Sequence, residues 1–150
     1  MIKEHRVIVL EELAKLRDAI INNHLSAGQK ASGKTIESLK IEQDGDKVIL
    51  YGRQAFGTLE TGRKAGAVPG NFREILYQWS IDKKISFDKD SKRKSFAYLL
   101  AKKIECEGTK LYREGGRNDI YSQLIPDTVE AIANRIGILF ETEIDHIKIN

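Results

Sequence analysis

An Asp-Gly pair set between two apolar-rich runs is the feature that most narrows the folds open to this chain. Asp44-Gly45-Asp46 separates residues 35–43, whose apolar members are Ile36, Leu39 and Ile41, from residues 47–51. In the second run Val48 and Leu50 alternate with Lys47, Ile49 and Tyr51. Glycine accepts positive φ without a Cβ clash, so such a pair closes a hairpin. Period-two alternation is the signature of a pleated strand. A hairpin is therefore expected over 36–53. Gly52, Gly57 and Gly62 then punctuate the chain around Ala55-Phe56 and Leu59-Glu60, and further short strands are expected there, with Glu60 at the end of the sheet. The expected class is α+β: a small antiparallel sheet packed against an N-terminal helix and two to three further helices.

The helices announce themselves by period. Residues 3–25 place Val9, Leu10, Leu13, Leu16, Ile20 and Leu25 near helical spacing, the pattern of a helix lying on a sheet and compatible with one that binds a partner. Phe72, Ile75, Leu76 and Trp79 predict a helix over 72–80, with Asn71 as N-cap and Trp79 in the core. A helix over 95–107 is predicted with Phe96, Leu99, Leu100 and Ile104 buried, Ser91 or Ser95 capping its start and Gly108 ending it. Another begins near Pro126-Asp127 and buries Val129, Ile132, Ile136 and Leu139. Residues 63–70 and 82–94 read as connectors. The second is basic, with Ile85 and Phe87 tucked under; it is either a solvated segment or a surface for DNA or an acidic neighbour. Residues 109–122 have no apolar period and read as a flexible loop or arm. The tail, 141–150, reads as an edge strand or a frayed end.

A chain of 150 residues suits one domain, here 1–150, and buries roughly two-thirds of its unfolded surface without needing disulfides or metal. Residues 1–9 are too charged for a signal peptide, and no apolar run approaches the roughly 20 residues of a membrane span. The net charge of +3 comes from 25 basic and 22 acidic residues mixed along the chain, which does not mark a dedicated nucleic-acid binder.

Chemistry is hard to find. Gly28 and Gly33-Lys34-Thr35 imitate a phosphate loop, but the segment follows a helix and precedes a strand, the reverse of the order that motif needs. His5, His24 and His146 have no metal-ligand spacing. Cys106, the only cysteine, is expected to be a buried or half-buried structural residue. No serine sits in a nucleophile elbow. Glu60 stands out, yet it has no acid–base partner, and a salt bridge to flanking Arg53 or Arg63, within or between subunits, is the simpler role. No catalytic residue, cofactor or metal is expected.

Three stretches, taken in order, resemble a known family. SGKTIESLKIEQDG resembles a Thr-Gly-x-Leu-x-x-Ser-Ile segment, with Ser32-Gly33, Ile36 and Ser38-Leu39 in similar places. AFGTLETG resembles Tyr-Ala-x-x-Val/Leu-Glu-x-Gly-Thr, with Phe56, Leu59, Glu60 and Gly62 matching. FREILYQWSIDKKISF and SFAYLLAKKIECEGTKLYREG are similar to Trp-x-x-x-Lys-Gly-Ile and Ala-Phe-x-Ile-Ala-x-x-Ile-x-x-x-Gly-Thr-Lys. Trp79, Lys84, Ile85, Phe96, Ala97, Leu100, Ala101, Ile104, Gly108, Thr109 and Lys110 carry that match. The family is that of the tail-completion or head–tail joining proteins of tailed bacteriophages. The likeness covers roughly residues 25–113. Two departures stand out. Gly62-Arg63 replaces the family's Gly-Thr, and Leu111-Tyr112-Arg113-Glu114-Gly115-Gly116 replaces its Arg-Pro-Phe-Leu-Arg-Pro.

The resemblance implies an α+β virion subunit forming a ring, sixfold or a multiple of it, in the neck or at the tail top. It would be assembled in the host cytoplasm, join portal or connector to tail, and let DNA pass through its lumen without specific binding. Candidate subunit or partner contacts are Arg53, Phe56, Glu60, Arg63, Tyr112, Arg113 and Tyr121. A rival reading is a small nucleic-acid-binding module using the basic 83–94 loop with Arg63 and Lys64.

Overall fold

The computed structural model describes residues 2–147. Helix α1 (Ile2–Ser26) leads through a short helix α2 (Lys34–Ser38) into strands β1 (Lys40–Asp44) and β2 (Lys47–Tyr51). A 3-10 turn (Gln54–Gly57) and a single-turn helix α3 (Thr58–Thr61) follow. Then come α4 (Phe72–Asp82), α5 (Asp90–Glu107), the short α6 (Lys110–Arg113) and α7 (Leu124–Asp145). The expected class holds: the chain is 63% helical with one two-stranded antiparallel hairpin.

The hairpin forms where expected. Ile41 pairs with Leu50, and Asp44 with Lys47, leaving Gly45-Asp46 as a two-residue turn. Gly45 takes φ 57° while Asp46 does not take positive φ, the pattern of a type II′ turn. The extent of β structure differs from expectation. Residues 34–38 are helical, because the Ser38 hydroxyl donates to Thr35 O (2.7 Å) and accepts from the Arg53 N–H (3.0 Å), closing a turn before β1. Residues 54–61 are helical turns, so no further short strands exist among the described residues.

Helix α1 buries Ile8, Glu12, Leu16, Ile20 and His24. Each step of four residues advances about 40° around the axis, so this stripe winds along the helix and meets two different neighbours. Leu16 and Ile20 join Leu39 and Ile120 in one hydrophobic cluster, with Leu50, Phe56, Leu59 and Leu124 packed against it. Toward its N-terminus α1 lies along α7, where Arg135 donates to Glu12 (2.8 Å) and Glu11 (2.6 Å). Hydrogen bonds from Lys15 and then from Arg135 hold the Glu12 carboxyl below the usual carboxylate range. The periodicity missed Glu12 and His24 as buried positions, and it wrongly favoured Leu25, which is 44% exposed.

A second cluster joins α4 to α5 through Leu76, Ala97, Ala101 and Ile104. Small Ala97 and Ala101 face α4, so α5 is rotated from the expected stripe: Leu99 is 64% exposed, and Phe96 and Leu100 are half-buried. Helix α5 also starts at Asp90, earlier than expected, and neither Ser91 nor Ser95 caps it; Lys89 is the N-cap. Asn71 stands at the N-cap of α4 but makes no side-chain cap bond. Within the 82–94 connector Ile85 and Phe87 are half-buried, as expected. Val129 on α7 is 60% exposed. Residues 141–145 continue that helix and form no strand, while the expected alternation of Ile147 with Ile149 falls partly outside the described residues.

Helix α4 ends in a Schellman motif. Ile85 N–H bonds to Ser80 O (3.0 Å) and Lys84 N–H to Ile81 O (2.8 Å), with Lys84 at φ 58°. A left-handed conformation costs a non-glycine residue about 1–2 kcal/mol, and glycine returns part of that as unfolded-state entropy. Lys84→Gly is therefore expected to stabilise the fold by about 0.5–1 kcal/mol, read as a higher urea midpoint at unchanged slope.

Candidate functional site

Glu60 sits on α3 and is only 4% exposed. Its Oε1 accepts from three consecutive backbone N–H groups, Ile120 (3.1 Å), Tyr121 (2.7 Å) and Ser122 (2.8 Å), and its Oε2 from the Ser122 hydroxyl. Its own carbonyl accepts from Arg117 N–H (2.8 Å). Successive N–H groups converging on one point make an anion cup, and here the anion is a side chain of the same chain. Burial raises the Glu60 pKa, but the Ser122 hydroxyl and the three amides more than reverse this and hold it below the usual carboxylate range.

The stretch 109–122 therefore does not project as an arm. It opens with α6, whose Thr109 cap accepts from Tyr112 N–H, and then wraps Glu60 with Ile120 fully buried. Asn23 Nδ2 donates to Ile120 O (3.2 Å), and Tyr121 OH donates to Gly57 O (2.9 Å) with its ring 5.1 Å from Phe56. Two glycines admit this close approach. A Cβ on Gly62 (φ 68°) would lie 2.5 Å from Tyr112 N, and one on Gly116 (φ 79°) 2.7 Å from Glu60 O.

The expected salt bridge from Arg53 or Arg63 to Glu60 does not form, because α3 turns Glu60 inward and leaves both arginines outside. Arg63 donates its backbone N–H to Thr109 Oγ1 (3.0 Å) and its guanidinium to Ala67 O (2.7 Å), and lies over the Phe72 ring at 5.3 Å. Arg53 is exposed. Of the seven candidate contact residues, Phe56, Glu60 and Tyr121 form one internal cluster. Arg63, Tyr112 and Arg113 gather beside it around Thr109, and Tyr112 is 46% exposed. Arg113 pairs with Glu107 (3.1 Å).

Beside this junction α4, α5 and α6 enclose an open cavity of about 440 Å³. Its walls are apolar, among them Phe72, Leu76, Ile104 and Leu111, and cations stand around it. Trp79 lines this cavity, half-buried, instead of filling the core. Cys106 is exposed, contrary to expectation, on the solvent side of α5. The described residues contain no group of three or more His, Cys, Asp or Glu that could hold a metal ion. No helix among them is long and apolar enough to cross a membrane.

No protein-family model, curated protein or solved structure matches this chain.

Sequence reasoning singled out Glu60 but missed its partners. The signal was Ile120, one large aliphatic residue in a polar stretch just after the turn formers Asn118-Asp119. Chemically the arrangement is a staple, with every carboxylate oxygen occupied by donors of the same chain. Glu60→Gln is expected to cost about 1.5–3 kcal/mol near neutral pH, the range for hydrogen bonds to a charged group. Because the folded pKa is depressed, this stabilisation is present above the ordinary carboxylate range and lost as pH falls through the lower folded value. The wild type should therefore lose more stability on acidification than Glu60→Gln. Urea titrations at stepped pH read both.

Proposed function

We propose that this chain is a virion structural subunit of a tailed bacteriophage. It forms a homo-oligomeric ring in the neck or at the tail top, joins portal or connector to tail, and surrounds the DNA channel. The observation that carries the reading is where the resembling motifs meet. Leu59-Glu60-x-Gly62 and Gly108-Thr109-Lys110 are distant in sequence. Yet Arg63 N–H donates to Thr109 Oγ1 (3.0 Å), Thr109 N–H donates to Arg63 O (2.8 Å), and Gly62 packs on Tyr112. Motifs that share a family resemblance and interlock in space favour a common architecture. Their polar groups are spent on that architecture, as suits a subunit whose work is shape and contact. The small net charge of +3 suits a lumen that DNA must traverse without sticking, since each phosphate contact adds affinity.

The nucleic-acid reading draws on the basic run near 83–94, and three of its six basic side chains are engaged with neighbours in and beside that run. Lys92 pairs with Asp88 (2.8 Å) and Lys94 with Asp90 (3.3 Å). Arg93 turns inward to Ser80 Oγ and Ile85 O, both at 2.8 Å, with its guanidinium 4.8 Å from the Phe87 centroid. This arrangement favours the structural reading.

Negative-stain electron microscopy and mass measurement, alone and with a portal or tail-tube partner, are expected to show rings. A particle that stays monomeric under all of these conditions overturns the reading. The rival predicts salt-sensitive DNA affinity that drops in Lys92→Gln/Lys94→Gln; the expected result is weak affinity unchanged by that pair.

A further inference from the structure

Two surfaces of this subunit are complementary and cannot meet within one chain. The first is the cavity between α4, α5 and α6. Its apolar walls include Phe72 and Ile104, no acidic residue lines it, and Lys103, Lys110 and Arg113 are among its lining residues. Lys103 forms no ion pair among the described residues, and the Lys110 contact to Glu114 is a loose 3.7 Å between exposed groups.

The second surface is the far end of α7. Phe140 (42% exposed), Ile144 (63%) and Ile147 (67%) lie on one side, although the Phe140 ring also rests against His5 at 4.9 Å. Glu141 and Asp145 stand next to them, exposed and without an ion pair among the described residues. The last turn holds no basic residue. A helix C-terminus carries partial negative charge, so acids there favour an external cation. This end is thus apolar and acidic where the cavity is apolar and basic.

The chain cannot satisfy itself. Leu124, at the start of α7, packs on the cluster built around Ile120, beside the junction that borders the cavity. Phe140 is 16 residues further along, about 24 Å away down the helix axis. We infer that the α7 end of one subunit docks in the α4–α5–α6 cavity of a second copy of this chain. The contact is heterologous, head to tail, and closes into a ring when its rotation divides a full turn. This rests on the ring reading and names its subunit boundary.

The test is a charge swap. The cavity variant is Lys103→Glu/Lys110→Glu, and the end variant is Glu141→Lys/Asp145→Lys. All four positions are exposed, so circular dichroism and melting should match wild type. Each variant alone is expected to self-associate at least about tenfold more weakly than wild type in sedimentation velocity, since like charges then face each other at both ends of the contact. An equimolar mixture of the two variants should recover association with the variants alternating, because each contact between unlike variants is again of opposite sign, while contacts between like variants stay repulsive. Weak contacts are trapped in a Cys106→Ser background by a Lys103→Cys/Asp145→Cys pair, which should give a ladder of disulfide-linked multimers on oxidation. Oligomers that form but ignore both reversals, or reversals that the mixture fails to rescue, overturn this inference and leave the ring reading standing. Association appearing only with another protein's acidic segment in the cavity overturns it likewise. No oligomer and no ladder at any concentration, with or without portal and tail partners, overturns both.

Discussion

The Glu60 carboxylate in its cup of three amides is the interaction on which the rest of this fold depends. It lies on a single-turn helix too short to persist alone, and it reaches a segment 60 residues later that has no regular structure of its own. Neither partner is stable without the other. Once joined, they fix where α7 begins, because only its N-cap, Gln123, separates Ser122 from Leu124, and they place Ile120 between α1 and the hairpin. One buried anion with all its acceptors satisfied thus sets the relation of the first, middle and last thirds of the chain. The same anion left unpaired would be costly to bury.

The other organising element is the winding stripe of α1. A straight stripe serves one neighbour. A stripe advancing by four residues serves α7 at one end and the hairpin cluster at the other. Its two polar members are each committed: Glu12 to Lys15 and Arg135, and His24 to Gln29, which in turn donates to Leu59 O at 2.7 Å. These bonds carry the α1–α7 contact and the approach of the 3-10 and α3 turns.

What could be read from the sequence was what is decided locally. The turn at Gly45 is a matter of φ, so the hairpin was legible. The four long helices show in their apolar period. The faces of those helices were less legible, because burial is chosen by the partner. Helix α5 turns Ala97 and Ala101 inward, since small side chains let α4 approach closely, and Leu99 is left outside despite its hydrophobicity. Short turns were misread for a related reason: Thr35 and Ile36 favour strand by propensity, but Ser38 bonds on both sides of itself and wins. At the candidate site Glu60 was visible as an oddity and its partners were not, because no local rule links a carboxylate to amides 60 residues away. Cys106 and Trp79 were placed by the average habits of their residue types, and both lie nearer solvent than those habits suggest.

The pinning of both ends of 62–116 has a topological consequence. Glu60 holds Arg117, and Arg63 holds Thr109, so the chain leaves and re-enters the α1–hairpin–α7 frame through one narrow gate. Everything between, α4 and α5 included, is an excursion with its own hydrophobic cluster. Such an excursion changes length at small entropic cost, since closing a longer loop grows only logarithmically harder. The frame is then a chassis and the excursion an exchangeable fitting, free to be resized against a neighbour without rewriting the frame.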